Sequence, residues 1–402
     1  MPNSRVSARL LAVLLASLSA LGPLSIDAYL PSFREMGESL QATPLEIQQT
    51  LSAYLGPFAI MTLWHGALSD GLGRRRVILW SLILFALASV GCALAPTVHW
   101  LWFWRGLQGM TAGAGIVIGR AVVRDVFDGP AAQRLMSNVS IMFALAPAIA
   151  PIVGGWIHVA WGWRAVFHFL TLSTLLLWWF CWRRLPETLP PEQRVPLAPR
   201  SLLHAYRQVL GRPTFLAICG ALLLNFLGFF IYVLSAPVFQ MQHLGRGETE
   251  FLWLFGPAMT GLIVGATLSG RAAGRLSPAR TLLAGYAIMA VAAGANLLLN
   301  LLQPPSLPWS VLPIPLYTTG MALAMPTLTL LALDMFPSRR GMAASCQTFV
   351  QATGNALAAA LLAPLLWGST LHLASGMVLL LLLGGASAWL GFHGNRQPQQ
   401  TD

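Results

Sequence analysis

Not one lysine occurs in the 402 residues, and charged side chains of every kind amount to 9% of the chain. Soluble globular domains carry about a quarter charged residues, so a water-soluble domain is excluded. Cysteine is nearly as scarce. Cys92, Cys181, Cys219 and Cys346 each sit inside an apolar run, and no two form a C-x-x-C pair. They read as free packing residues, not as a metal knuckle or a redox couple. No phosphate-cradling G-x-x-x-x-G-K-S/T loop, metal-ligand spacing or nucleophile–histidine–acid set is present. An enzyme, an ATP-driven pump, a metal site and a bound cofactor are therefore not expected.

What fills the chain is apolar sequence, 56% of it. A spanning helix needs about 20 such residues. Twelve runs qualify, near residues 9–30, 47–69, 77–96, 99–120, 135–158, 164–185, 213–238, 250–270, 280–302, 308–333, 341–365 and 371–392. The expected class is an all-α integral membrane protein whose partner is the lipid bilayer. Residues 186–212, rich in Pro and Arg, read as a cytoplasmic linker. It parts an N-terminal six-helix bundle (1–185) from a C-terminal one (213–402).

The net charge of +11 rests on 24 arginines. With the N-terminus inside, all but Arg34, Arg105, Arg164 and Arg246 fall on cytoplasmic segments, a strong orientation signal. Both termini are then cytoplasmic, and the charge records topology, not a nucleic-acid partner. Arg5 and Arg9 before an apolar run imitate a signal peptide. Pro23 and Asp27 interrupt that run and further spans follow it, so an uncleaved first helix is expected.

Residues 66–76, Gly-Ala-Leu-Ser-Asp-Gly-Leu-Gly-Arg-Arg-Arg, read as a short turn between the second and third spans. Gly66 and Gly73 suit a tight turn, and Asp70 sets one acid beside Arg74, Arg75 and Arg76. A positive-inside anchor explains the arginines but does not require the glycines or the aspartate. The turn after the fourth span adds Arg120, Arg124, Asp125, Asp128 and Arg134, from which Arg124 and Asp125 could reach the Asp70 turn. In the second half Gly270-Arg-Ala-Ala-Gly274-Arg275 repeats the pattern weakly, and Asp334 partners Arg339 and Arg340 at the surface.

Asp27 lies in the first span, where an ionised carboxylate costs about 2.5–3.5 kcal/mol. Burial favours its neutral form, which makes it a proton carrier; the competing reading is an acid at a helix end near Pro31, wetted from outside. Arg105 follows Trp100, Trp102 and Trp104, which read as an interfacial belt. It either snorkels outward beside that belt or, with Gln108 one turn on, faces a cavity. In the fifth span Pro147 and Pro151 bend the helix, and Gly154 and Gly155 allow a close crossing. Asn225, Phe229 and Tyr232 share one helix face, and Gln347, Gln351 and Asn355 share another. Such amides mark either a cavity wall or interhelical fasteners. His65 receives no role.

The 66–76 pattern resembles the loop between helices 2 and 3 of the major facilitator superfamily. Arg105-Gly-Leu-Gln108-Gly109 resembles that family's helix-4 signature, whose arginine lines the central cavity near the coupling acid. Pro151-x-x-Gly154-Gly155 is similar to the end of its antiporter motif, with Ala150 where the motif has glycine. Asp27-x-Tyr29-Leu-Pro31 is similar to the Bcr/CflA branch, which exports bicyclomycin, chloramphenicol and florfenicol in exchange for protons. The resemblance implies two pseudo-symmetric six-helix bundles and a monomer in the bacterial inner membrane. It further implies proton coupling at Asp27 and Arg105, a drug cavity drawn from Tyr29, Tyr54, Gln108, Asn225, Phe229, Tyr232, Gln347, Gln351 and Asn355, and a gate of Gly66, Asp70, Gly73, Arg74, Arg75, Arg124 and Asp125. Proton-coupled uptake of a small metabolite and a non-transporting scaffold remain the alternatives. A channel, which needs a polar rim and usually subunit symmetry, suits the chain less well.

Overall fold

The computed structural model describes residues 8–127, 146–147, 149–194, 199–272, 275–336 and 340–394, without the side chains of residues 8, 9, 124, 199, 201 and 394. Asp128, Arg134, Gly274 and Arg339, and the side chain of Arg124, thus lie outside the described residues. Those described are helical, with turns between and no strand. Two compact units divide the chain, Met1–Ala198 and Pro199–Asp402.

The first unit holds α1 (Ala8–Asp27), α2 (Phe33–Leu40), α3 (Pro44–Leu72), α4 (Arg74–Ala93), α5 (Val98–Val126), α6 (Ile149–Trp161) and α7 (Trp163–Arg184). Local chemistry sets the helix starts. Thr43 and Glu46 close a capping box ahead of Pro44, with the Thr43 N–H donating to Glu46 at 2.8 Å. Thr97 caps α5. Helix α1 stops at Asp27, four residues before Pro31, and a short 3₁₀ turn, Leu30–Ser32, leads into α2.

The second unit holds α8 (Pro199–Leu210), α9 (Pro213–Leu234), α10 (Leu252–Ala272), α11 (Pro278–Leu302), α12 (Pro313–Asp334), α13 (Arg340–Leu357), α14 (Ala363–Leu366) and α15 (Thr370–Gly394). Helix α8 lies within the stretch read as linker. It is amphipathic, buries Tyr206 and Val209, and packs on α9 and α13. The spans expected at 213–238 and 341–365 each pass into a π-turn, Val238–His243 after Pro237 and Ala358–Leu362 before α14.

Each unit repeats one pattern of neighbours. In the first, α5 packs on α1, α3 and α4, and α7 packs on α1 and α4. In the second, α12 packs on α9, α10 and α11, and α15 on α9 and α11. Substituting the first, second, third, fourth and sixth spans of one half for those of the other maps one set onto the other. The weak sequence repeat thus corresponds to a structural one in five of the six spans of each half.

Among the described residues, ten stretches are long and apolar enough to cross a membrane, with α1 and α2 counted together as Leu10–Leu40. Helix α3, at 29 residues, is long enough but diluted by Gln48, Gln49, Thr50, His65 and Ser69, and α6 is described only from Ile149. Leucine and tryptophan coat the outside, among them Trp80, Trp156, Leu172, Leu283 and Leu382, while Asp27, Arg105, Gln108 and Asn225 are buried. Such an inversion requires lipid around the chain.

The tryptophan trio divides. Trp100 is exposed as a belt residue should be, but Trp102 donates its indole N–H to the Glu46 carbonyl at 2.9 Å, and Trp104 lies over Gly91. The turn expected over 66–76 shrinks to a single residue, because α3 continues to Leu72 and α4 starts at Arg74. Gly73 carries it at φ +99°, whereas Gly66 lies within the helix.

Candidate functional site

In the first unit, Arg105 is wholly buried on α5 and points toward the end of α1. Its Nη1 donates to the Ser25 carbonyl at 3.1 Å and to Gln108 Oε1 at 2.8 Å. Gln108 in turn donates to Ser89 Oγ on α4 at 2.7 Å, and the Cys92 thiol lies 3.6 Å from Gln108 Oε1. The guanidinium carbon sits 4.4 Å from the ring centroid of Tyr29 and 4.4 Å from that of Tyr54. Both hydroxyls are engaged as well. Tyr29 shares a 2.8 Å bond with Thr50, and the Ser25 hydroxyl lies 2.8 Å from both Tyr54 Oη and the Gly22 carbonyl. Nothing here snorkels outward: the nitrogens Nε and Nη2 are buried and have no hydrogen-bond partner.

Asp27 is the last residue of α1, yet it is only 3% exposed, and its Oδ1 is buried without a partner. The carboxyl is therefore shielded instead of wetted at the helix end. Packing behind it explains why. Helix α6 crosses so closely that a Cβ on Gly154 would fall 1.7 Å from the Ala28 carbonyl oxygen. Pro151 and Gly155 are buried on the same helix, and Pro147 is half-buried. Among the described residues Arg105 forms no ion pair. One buried acid and one buried guanidinium thus share the neighbourhood of Ser25, each with unsatisfied polar atoms. Leaving such atoms unpaired costs about 1–3 kcal/mol or more apiece.

At the other end of α3, Arg74 is the hub of a polar cluster. Its guanidinium meets Asp70, bonds Ser69 Oγ at 2.6 Å and pairs with Asp125 Oδ2 at 3.2 Å. Asp125 also accepts from Thr188 Oγ1 at 2.8 Å, while the Arg74 backbone N–H donates to Glu187 at 2.9 Å. Arg75 caps α7, with Nη2 2.6 Å from the Trp182 carbonyl. Glu187 and Thr188 were invisible in sequence because they follow α7 in the proline-rich stretch, 113 and 63 residues from their partners. Gly73 leaves room for Glu187 and Arg194, since a Cβ there would stand 2.5 Å from Glu187 Oε2 and 2.9 Å from Arg194 Nη2.

In the second unit the polar residues separate into two kinds. Asn225 is buried on α9, donates its side-chain amide to Tyr286 of α11 at 2.7 Å, and through its backbone carbonyl accepts from Tyr317 of α12 at 3.1 Å. Tyr232, also buried, accepts from Asn296 of α11 at 2.6 Å, and Phe229 lies buried between them in sequence. These fasten helices together within the unit. Gln347, Gln351 and Asn355 instead form a half-buried row on α13, with Gln347 3.3 Å from Thr329 and Gln351 3.4 Å from Asn355. Asp334 pairs with Arg340 at 2.8 Å.

A family model described as the Major Facilitator Superfamily matches residues 15–359. An uncharacterised MFS-type transporter, YdgK of Bacillus subtilis, is 35% identical over 339 residues, 83% of this chain and 84% of that protein. A bicyclomycin resistance protein homologue of Haemophilus influenzae is 29% identical over 67% of this chain and 68% of its own length. Among solved structures, a D-xylose–proton symporter superposes with a TM-score of 0.74 at 17% identity, covering 96% of this chain and 97% of the symporter.

Proposed function

This chain belongs to the major facilitator superfamily, and we propose that it exports drug-like small molecules from the bacterial cytoplasm by alternating access, in exchange for protons entering through Asp27. It acts as a monomer in the inner membrane with both termini in the cytoplasm, the orientation that the arginine distribution favours. The similarity to a bicyclomycin resistance homologue supports the substrate class. The observation that carries the coupling is the burial of Asp27 with an unpartnered oxygen, two residues after Ser25, whose backbone carbonyl Arg105 holds.

A neutral carboxylic acid tolerates such burial, whereas a carboxylate there requires a countercharge. Arg105 is the cation at hand, with two nitrogens, Nε and Nη2, uncommitted. Protonation from the periplasm leaves Arg105 on Ser25, Gln108 and the two tyrosines. Proton release to the cytoplasm draws those free N–H groups toward Asp27. At the opposite end, the Arg74 cluster biases the exchange between two nearly balanced conformations, which takes only a few kcal/mol. The amide row on α13 offers hydrogen bonds to substrate, while Asn225 and Tyr232 hold their unit rigid around it.

The energetics suffice. One proton entering down 100 mV supplies about 2.3 kcal/mol, and at about 1.4 kcal/mol per tenfold that sustains a gradient of roughly fifty-fold for a neutral compound. The test is expression in a pump-deleted bacterium. Export lowers cellular bicyclomycin or chloramphenicol and raises resistance for the wild type, and Asp27→Asn abolishes both effects at equal expression. Equal resistance from the two proteins removes Asp27 from coupling. Accumulation of a solute in place of its loss reverses the direction.

A further inference from the structure

We propose that Tyr29 and Tyr54 are positioning residues for proton exchange, whose paired rings hold the Arg105 guanidinium between them and away from Asp27. The inference rests on the coupling role proposed for Asp27 and adds to it the group that competes with the acid for the arginine.

Geometry supports a clamp over a drug-binding wall. Neither ring has any exposed surface, and the guanidinium carbon is equidistant from both centroids at 4.4 Å. Cation–π attraction strengthens when the partners are desolvated, and all three residues are fully buried. Each ring is itself anchored. Thr50 holds the Tyr29 hydroxyl, Ser25 holds that of Tyr54, and Phe33 and Phe167 pack on Tyr29 with centroids at 5.1 and 5.7 Å. A flat cation held by two anchored faces leaves Nε and Nη2 buried without hydrogen-bond partners. Those idle donors are what an ionised Asp27 would take, so the clamp sets how readily the acid gives up its proton.

Among the described residues, few other titratable groups surround this pair. Helix α4 contributes Cys92, within electrostatic reach of Arg105, and α3 contributes Tyr54 itself, within reach of Asp27. Helix α6, packed on Ala28 at Gly154, carries His158 one turn further, and its Nδ1 lies 2.9 Å from Glu35 of α2. None of these supplies a second cation to Asp27 while His158 is committed to Glu35.

The test uses the full chain purified in detergent, with no substrate. Infrared difference spectra locate the carboxylic C=O band that disappears in Asp27→Asn, and that band is followed as pH is stepped. In the Tyr29→Leu/Tyr54→Leu pair, freed Arg105 favours the carboxylate, and the band's midpoint falls by about one pH unit, a tenfold change in proton affinity. Tyr29→Phe/Tyr54→Phe keeps the rings, drops the hydroxyls and leaves the midpoint in place. In an Arg105→Gln background the leucine pair moves nothing further, as a cycle through the arginine requires. Should the leucine pair not fold, Tyr54→Leu alone gives a smaller fall. An unmoved midpoint, an equal fall with phenylalanine, or a fall that persists without Arg105 overturns the clamp. If Asp27→Asn removes no band at all, the coupling role of Asp27 fails instead.

Discussion

Arg74 and Asp125, 51 positions apart, pair at 3.2 Å and tie the junction of α3 and α4 to the end of α5. The guanidinium is nearly buried, while Asp125 keeps some contact with solvent. Arg74 retains Asp70 and Ser69 when Asp125 is neutralised, so Asp125→Asn costs about 1 kcal/mol of stability. Arg74→Ala strips the counterion from two partly exposed acids and empties its own nearly buried site, costing about 2–3 kcal/mol. Thermal unfolding in detergent should rank Arg74→Ala well below Asp125→Asn, and Asp125→Asn slightly below wild type. The reverse order would show that Arg74 is not the hub.

The two motif glycines separate by substitution. Gly73→Ala meets both a backbone conformation that only glycine adopts readily and the Glu187 carboxylate. About 1–3 kcal/mol is lost. At Gly66 a Cβ meets only Val117, at 3.9 Å, so Gly66→Ala is neutral or gains about 0.4–1 kcal/mol. Melting temperatures of the pair check this directly, and equal losses would contradict it.

Gly154→Ala drives a methyl into the Ala28 carbonyl and forces α6 off the end of α1. Overpacking of this kind costs about 1–3 kcal/mol, and here it also opens the shield over Asp27. Resistance falls sharply even when the protein reaches the membrane in normal amount. Gly56→Ala, with nothing within 4 Å of the added carbon, serves as the silent control.

Fasteners and substrate contacts in the second unit respond differently. Asn296→Leu removes the bond to Tyr232 and lowers thermal stability by about 0.6–2 kcal/mol without changing which compounds are resisted. Gln351→Ala leaves stability within about 0.5 kcal/mol and alters the resistance profile across a compound panel. An unaltered profile in Gln351→Ala would remove the amide row from substrate recognition.

Much of the fold is legible in the chain because lipid imposes a simple code. Apolar runs of sufficient length become helices, and nearly all the expected spans have described counterparts. Spacing puts Arg105 and Gln108 one turn apart on one helix but leaves open whether the arginine snorkels outward, which its burial against Gln108 decides. What sequence conceals depends on tertiary distance. Glu187 and Thr188 enter the Arg74 cluster from a segment whose composition says only linker. The α8 helix hides in that same segment because arginine and proline mask its apolar face. Tyr29 and Tyr54 stand on different elements, and nothing local shows that their rings enclose one guanidinium. The turn at Gly73 is narrower than the motif suggests because helical hydrogen bonding carries α3 through Asp70 to Leu72, which brings that acid within reach of Arg74.

Proton exchange at Asp27 is tested most directly in everted membrane vesicles carrying a proton gradient, monitored with a pH-sensitive dye. A compound to which the wild type confers resistance is added. Coupling through this carboxyl predicts that the wild type dissipates part of the gradient at once and that Asp27→Asn, at equal abundance, leaves it intact. The same dissipation from both proteins would contradict it.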